Sequence, residues 1–212
     1  MNKQDAIRFQ KLINSKSNFN LTEDGVIGSK TLWATLEVVK RELKARSFDF
    51  PKKGLIYIRT DEKLTNTFDD FVLRINESVI DIIAPCSTTA GDFYVKNPVT
   101  SGGITGTAIT IEQQVKLSHK FVTGNWANLW LKGPYFQQMR PLRVYRDGNK
   151  DGVIDTVLSV VGMFGINLHR GGLGNLINRW SAGCNVTPDE YWFQIIKIFE
   201  NGEYIDYTLI EL

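Results

Sequence analysis

Apolar side chains at Ile7, Phe9, Leu12 and Ile13, with polar residues between them, fall close to one helical stripe over residues 4–14. Thr22-Glu23-Asp24-Gly25 is a turn signal. After it, Ser29 is placed to cap a second helix, whose apolar positions Leu32, Leu36, Val39 and Leu43 recur at helical spacing. From Leu55 the period changes. Leu55–Arg59, Phe71–Ile75 and Val79–Ile83 are short runs rich in β-branched and aromatic residues, and Thr107–Val115 and Leu142–Tyr145 continue that character. Turn-rich stretches at 101–103 and 123–125 separate them. Thr187-Pro188-Asp189-Glu190 reads as a capping box with proline at the first helical position, followed by the apolar face Tyr191, Trp192, Ile195, Ile196 and Phe199. Asn201-Gly202 stops that helix, and Tyr204–Leu209 reads as a terminal strand. The pattern predicts an α+β chain. A small helical module spans 1–46, and a mostly β domain with one late helix spans 54–212, built as a sandwich or a partly closed barrel.

Composition narrows the classes of function. Of 212 residues, 42% are hydrophobic and 23% charged, enough to bury a core. Twenty-five Lys+Arg against 23 Asp+Glu leave a net charge of +2, which gives no electrostatic footprint for nucleic acid. Two cysteines cannot build a disulfide scaffold, and the one bridge available is Cys86 to Cys184. The start, MNKQDAIRFQKLIN, shows no signal peptide. The longest apolar stretch, Val157–Ile166, is about half the roughly 20 residues a membrane helix needs, so no membrane insertion is expected. The chain is expected to be made in the cytoplasm, and where it acts is a separate question.

The segment Gly165-Ile166-Asn167-Leu168-His169-Arg170-Gly171-Gly172, followed by Arg179-Trp180-Ser181-Ala182-Gly183-Cys184-Asn185-Val186, is the most informative. It holds one of two histidines and one of two cysteines, 15 positions apart. A cysteine in a glycine-containing turn just ahead of a capped helix would feel backbone N–H groups and the helix field, which favour thiolate. A nearby imidazole could take its proton, and the N–H groups of Gly183 and Cys184 could serve an oxyanion. The plainer alternative is a buried small hydrophobe at Cys184 and a satisfied core histidine at His169.

His169 followed by Ser181-x-Gly183-Cys184 resembles the signature of the L,D-transpeptidase catalytic-domain family. Ser87-Thr88-Thr89-Ala90-Gly91-Asp92-Phe93 resembles that family's Thr-Pro-x-Gly-x-Phe segment, with Ala90 in place of proline. The resemblance covers roughly residues 54–212. It implies a mostly β fold and a cysteine nucleophile that performs acyl transfer or hydrolysis on peptidoglycan stem peptides. It implies Cys184 as nucleophile, His169 as base, and Ser181 and Gly183 as the residues that shape the turn, with no cofactor for catalysis. The family usually places arginine just after the cysteine, where it pairs with a substrate carboxylate. Here Asn185 and Val186 stand there, so Arg170 or Arg179 is the candidate replacement, with Trp180 beside them as a substrate contact. The N-terminal segment, Ala6-x-x-Phe9-Gln10 and then Asp24-Gly25-Val26-Ile27-Gly28, resembles the peptidoglycan-binding helical module. The two resemblances imply one partner, bacterial peptidoglycan, and action in the periplasm or at the cell wall.

Asp147, Asn149, Asp151 and Asp155, with Gly152 at the sharp turn, match positions 1, 3, 5, 9 and 6 of a calcium loop, although position 12 is Leu158. A structural calcium is the cofactor this spacing allows, and a polar hairpin turn is the alternative. Trp126, Trp130, Tyr135, Phe136 and Trp180 could line a sugar groove or pack a core. Two other functions stay open: a peptidoglycan-binding protein without turnover, and a calcium-stabilised structural protein.

Overall fold

The computed structural model describes residues 1–61, 63–99, 105–124, 133–154 and 159–212. In chain order its elements are α1 (Lys3–Ser15), α2 (Ser29–Ala45), β1 (Gly54–Arg59), β2 (Asp70–Asn76), β3 (Val79–Cys86), α3 (Asp92–Lys96), β4 (Thr107–Thr110) and β5 (Gln113–Val122). There follow β6 (Tyr135–Gln138), β7 (Leu142–Asp147), β8 (Ser159–Gly162), β9 (Leu168–Arg170), β10 (Asn185–Thr187), α4 (Asp189–Ile195), a 3-10 turn (Ile196–Ile198) and β11 (Tyr204–Glu211). The architecture is α+β, as the periodicity predicts.

Eight strands form one sheet in the order β10-β9-β6-β5-β11-β1-β2-β3, and β4-β7-β8 form a second, smaller sheet. The two edges of the large sheet meet. Ser87, just past β3, exchanges backbone hydrogen bonds with Val186 of β10 at 2.8 and 2.9 Å. The sheet thereby closes partway, at the corner where the end of β3 meets β10.

Alternation along β1 sets the layers. Leu55 and Tyr57 point into the core inside the sheet, with Tyr207, Leu209, Phe136 and Trp192, whereas Ile56 and Ile58 point out. The outward row does not meet water. It packs with Phe71, Leu73 and Ile210 against Phe9, Ile13 and Val38 of the helices. The helical unit therefore shares a core with the sheet. Buried Gln10 pins the connection between its helices: Nε2 donates to Asp24 Oδ1 (2.9 Å) and to the Val26 carbonyl (3.0 Å), and Oε1 accepts the Gly25 N–H (2.9 Å). Gly25 sits at φ +79°, where a Cβ would lie 2.5 Å from Lys3 Cγ.

Three local expectations are corrected. Gly28, not Ser29, is the N-cap of α2, and the Gly28 carbonyl accepts the Leu32 N–H at 3.0 Å. The run Thr107–Val115 is two strands in different sheets, parted at Ile111-Glu112, where the Gln113 side chain bonds Arg143 N and O. The capping box at 187–190 does not form. Thr187 is a buried strand residue and Pro188 is the cap position, because pairing with β9 takes Thr187 into the sheet. The turn at 101–103 and the residues 157–158 lie outside the described residues. Among the described residues, no helix is long and apolar enough to cross a membrane.

Candidate active site

The parallel pair β9–β10 brings the sequence-predicted residues together. Its register sets Leu168 opposite Asn185 and His169 opposite Val186. Continued one residue back, it sets Asn167 opposite Cys184. Leu168 faces the inner core, and Asn185 turns to the same side, its Nδ2 donating to Tyr207 Oη at 3.1 Å. Cys184 and Val186 face the other way, into a small cluster with Phe68 and Ile177 on which Trp180 packs. His169, opposite Val186, shares that face. Cys184 and His169 are therefore diagonal neighbours, with Cα atoms roughly 8 Å apart given the spacing and rise of strands.

Ser181 builds the turn that presents the cysteine. Its Oγ accepts the Gly183 N–H (3.0 Å) and donates to the Cys184 carbonyl (2.7 Å). Gly183 is at φ +130°, and a Cβ there would sit 2.4 Å from the Ala108 carbonyl oxygen of β4. Only glycine fits. The Gly183 N–H is thus spent on Ser181, which corrects its assignment to an oxyanion. The Ser87–Phe93 segment closes the other side, where the Gly91 N–H donates to the Ser181 carbonyl at 2.9 Å.

The electrostatics differ from the sequence expectation. Cys184 is 8% exposed, and burial pushes its thiol up to about 11, offset only by the Asn167 N–H. Strand β10 separates it from α4, so no helix N-terminus acts on it directly. The resting group is a thiol. It accepts from Asn167 N and donates to the Gly165 carbonyl, each at 3.4 Å. Burial lowers His169 to about 4, so the imidazole is neutral. Its Nδ1 lies 2.7 Å from the Arg170 carbonyl, which can only accept. The proton is therefore on Nδ1 and the lone pair on Nε2, the tautomer a general base needs. The other histidine, His119, is also buried. It donates from Nε2 to the Ile166 carbonyl at 2.8 Å and stacks on Tyr207, steadying the 165–167 segment that holds the sulfur.

The remaining candidates are distributed as follows. Arg170 pairs with Asp189 at 3.3 Å and lies 5.3 Å over Trp180, so its charge is largely committed. Arg179 is exposed and stacks 4.1 Å over Phe93. Asn185 and Val186, which follow the cysteine, are both fully buried. Beside Phe68 an open depression of about 300 Å³ is lined by residues of both α1 and the β domain, among them Asp5, Arg8, Thr67 and Tyr191. Cys86 is a free, buried thiol held well above its usual range by burial and Asp70, and Cys184 is likewise free. Tyr135 and Phe136 are buried, which removes them from a sugar groove. Trp126 and Trp130 lie outside the described residues.

Residues 147–153 of the candidate calcium loop are joined by local hydrogen bonds. Asp147 accepts from Lys150 N (2.8 Å) and Gly152 N (3.4 Å), Asn149 Nδ2 donates to Asp151 Oδ2 (2.9 Å), and Asp151 Oδ1 accepts from Val153 N (2.8 Å). Asp155 lies outside the described residues, among which no three acidic, histidine or cysteine side chains converge to hold a metal.

Sequence reasoning missed Phe68, Ala108 and Arg146. Arg146 had a signal: Leu142, Val144 and Arg146 alternate on β7, so an inward row ends in a charge. No protein-family profile matches the chain, and no curated protein matches its sequence. Its structure is similar to the crystal structure of the L,D-transpeptidase from Xylanimonas cellulosilytica, with 16% identity, a TM-score of 0.40, and 97% of this chain and 78% of that one covered. A likeness of that size carries no argument about chemistry.

Proposed function

We propose that the chain is a cysteine enzyme that transfers or hydrolyses acyl groups of peptidoglycan stem peptides, acting in the periplasm or at the wall. The observation that carries the reading is the β9–β10 register, which sets a buried thiol diagonal to a neutral histidine whose Nδ1 proton is held by a carbonyl. The substrate class comes from the sequence resemblance. A rotation about the Cys184 Cα–Cβ bond turns the sulfur from Gly165 toward His169. His169 Nε2 takes the thiol proton as sulfur bonds to the substrate carbonyl carbon. The tetrahedral intermediate collapses, the C–N bond breaks, and the leaving amine receives that proton. A second amine, or water, then attacks the thioester and releases the thiol.

Incubation with purified muropeptides, read by mass spectrometry, tests the reading. New cross-links or new amide exchange identify a transferase, and loss of D-alanine or of cross-links identifies a hydrolase. Unaltered muropeptides from a folded enzyme refute it and favour the binding protein.

A further inference from the structure

Arg146 is 4% exposed and its position is unusual. On β7 it follows Leu142 and Val144 on the inward face, at the end of the row nearest the cysteine. Its Nη1 donates to the Gly106 carbonyl at 3.1 Å. Among the described residues, its Nε and Nη2 are buried with no hydrogen-bond partner, and no carboxylate pairs with it. Neighbouring Asp147 points its carboxylate to Lys150 N and Gly152 N instead. A buried guanidinium with two unpartnered donor nitrogens is costly, and among the described residues one hydrogen bond to Gly106 and the Phe164 ring offset only part of that cost.

Both ends of Arg146 adjoin the residues that hold Cys184. Its backbone pairs with Ala108, whose carbonyl oxygen is the atom packed against Gly183. Its guanidinium carbon lies 4.6 Å from the centre of the Phe164 ring, next to Gly165, whose carbonyl accepts the Cys184 thiol. Phe164 itself is only partly buried. Nε and one Nη of a guanidinium form the fork that receives a carboxylate with two parallel bonds. Arg170 is engaged with Asp189, and Val186 carries no charge, so neither competes for that role.

We propose that Arg146 is the carboxylate-binding residue of this site: with Phe164 displaced, its Nε and Nη2 receive a carboxylate of the peptide acyl donor beside Cys184. The proposal deepens the reading of Cys184 as nucleophile and rests on it for the identity of the peptide. The carboxylate site itself can be tested without turnover.

The test compares full-length wild type with Arg146→Met and Arg146→Lys. Iodoacetate and iodoacetamide have nearly the same shape and differ in charge, so the ratio of their rates at Cys184, read by peptide mass mapping, reports a cation near the sulfur. The ratio is expected to fall about tenfold in Arg146→Met, equivalent to about 1.4 kcal/mol, and to recover partly in Arg146→Lys. Arg146→Met is expected to melt no lower than wild type, because it removes a buried charge that has no ion-pair partner among the described residues. An unchanged ratio in Arg146→Met overturns the proposal, as does a ratio that falls equally in Arg146→Lys. If neither reagent labels Cys184 in the folded protein, the nucleophile reading fails, and the carboxylate site is judged by a second measurement. Acetate, against chloride at equal ionic strength, is expected to raise the Tm of wild type and not of Arg146→Met. Equal Tm values in the two salts overturn the site.

Discussion

The helix-covered face of the sheet and its cysteine end are built on opposite terms. Under the helices, Phe9, Ile13 and Val38 meet Ile56, Ile58 and Phe71 in an apolar core, and the buried Gln10 beside it has its donors and acceptor engaged. At the cysteine end, Arg146 Nε and Nη2, Arg170 Nε and Thr187 Oγ1 are buried with no hydrogen-bond partner among the described residues, and a thiol is held away from ionisation. One region returns free energy on folding, and the other spends part of it. Buried groups left unsatisfied by the fold are the ones to assign to a substrate.

The largest effect that separates the two regions is expected on deletion of residues 1–45. Stripping the cover from Ile56, Ile58, Phe71, Leu73 and Ile210 should abolish cooperative melting of the β domain. A truncated chain that still melts cooperatively would make the helices a detachable module after all.

Next in size is Gly183→Ala. The new methyl meets the Ala108 carbonyl at 2.4 Å and requires left-handed backbone, so about 2 kcal/mol or more of stability should be lost. The turn that presents Cys184 should be lost with it. Unchanged Tm and unchanged labelling of Cys184 would show that the turn is not fixed.

A smaller, continuous effect should follow pH. Burial raises the Cys184 thiol to about 11, so alkylation by neutral iodoacetamide should climb steadily from neutrality toward that value. A plateau already at neutral pH would mean a preformed thiolate. Burial lowers His169 to about 4, so the base keeps its lone pair above that value, and turnover should be lost as pH falls through it.

The smallest effect belongs to the Asp147 loop. Were it to bind calcium with a Kd of about 1 mM, the weak end for such loops, millimolar calcium would add about 0.4 kcal/mol, about 1 °C in Tm. Asp151→Ala should remove the shift, and identical melts of wild type with and without calcium would leave a polar turn.

Long periodic elements were legible in the sequence because their faces are set locally. Leu55–Arg59 announced a strand, and Phe9 and Ile13 announced a helix face. Short elements were not: β9 and β10 have three residues each, and their pairing is a tertiary event. The same pairing drew Thr187 out of its capping box. His169, Ser181, Gly183 and Cys184 were readable because close backbone approach leaves glycine and serine as marks. Their electrostatics were not, since thiolate was expected from the turn and burial decided otherwise. Arg146 showed in the sequence only as a charge ending an alternating row; its two donor nitrogens without acceptors among the described residues exist only once β4, β7 and the 162–166 segment pack together.

The central claim, that Cys184 is the nucleophile, is tested most directly by trapping its acyl-enzyme. Wild type, Cys184→Ala and His169→Gln are incubated with a carbapenem, and adducts are located by intact mass and peptide mapping. The account predicts one covalent adduct in wild type, on Cys184 and not on the more deeply buried Cys86. It predicts none in Cys184→Ala, and slow formation in His169→Gln. A folded wild type with no adduct, or an adduct on the fully buried Cys86, would contradict it.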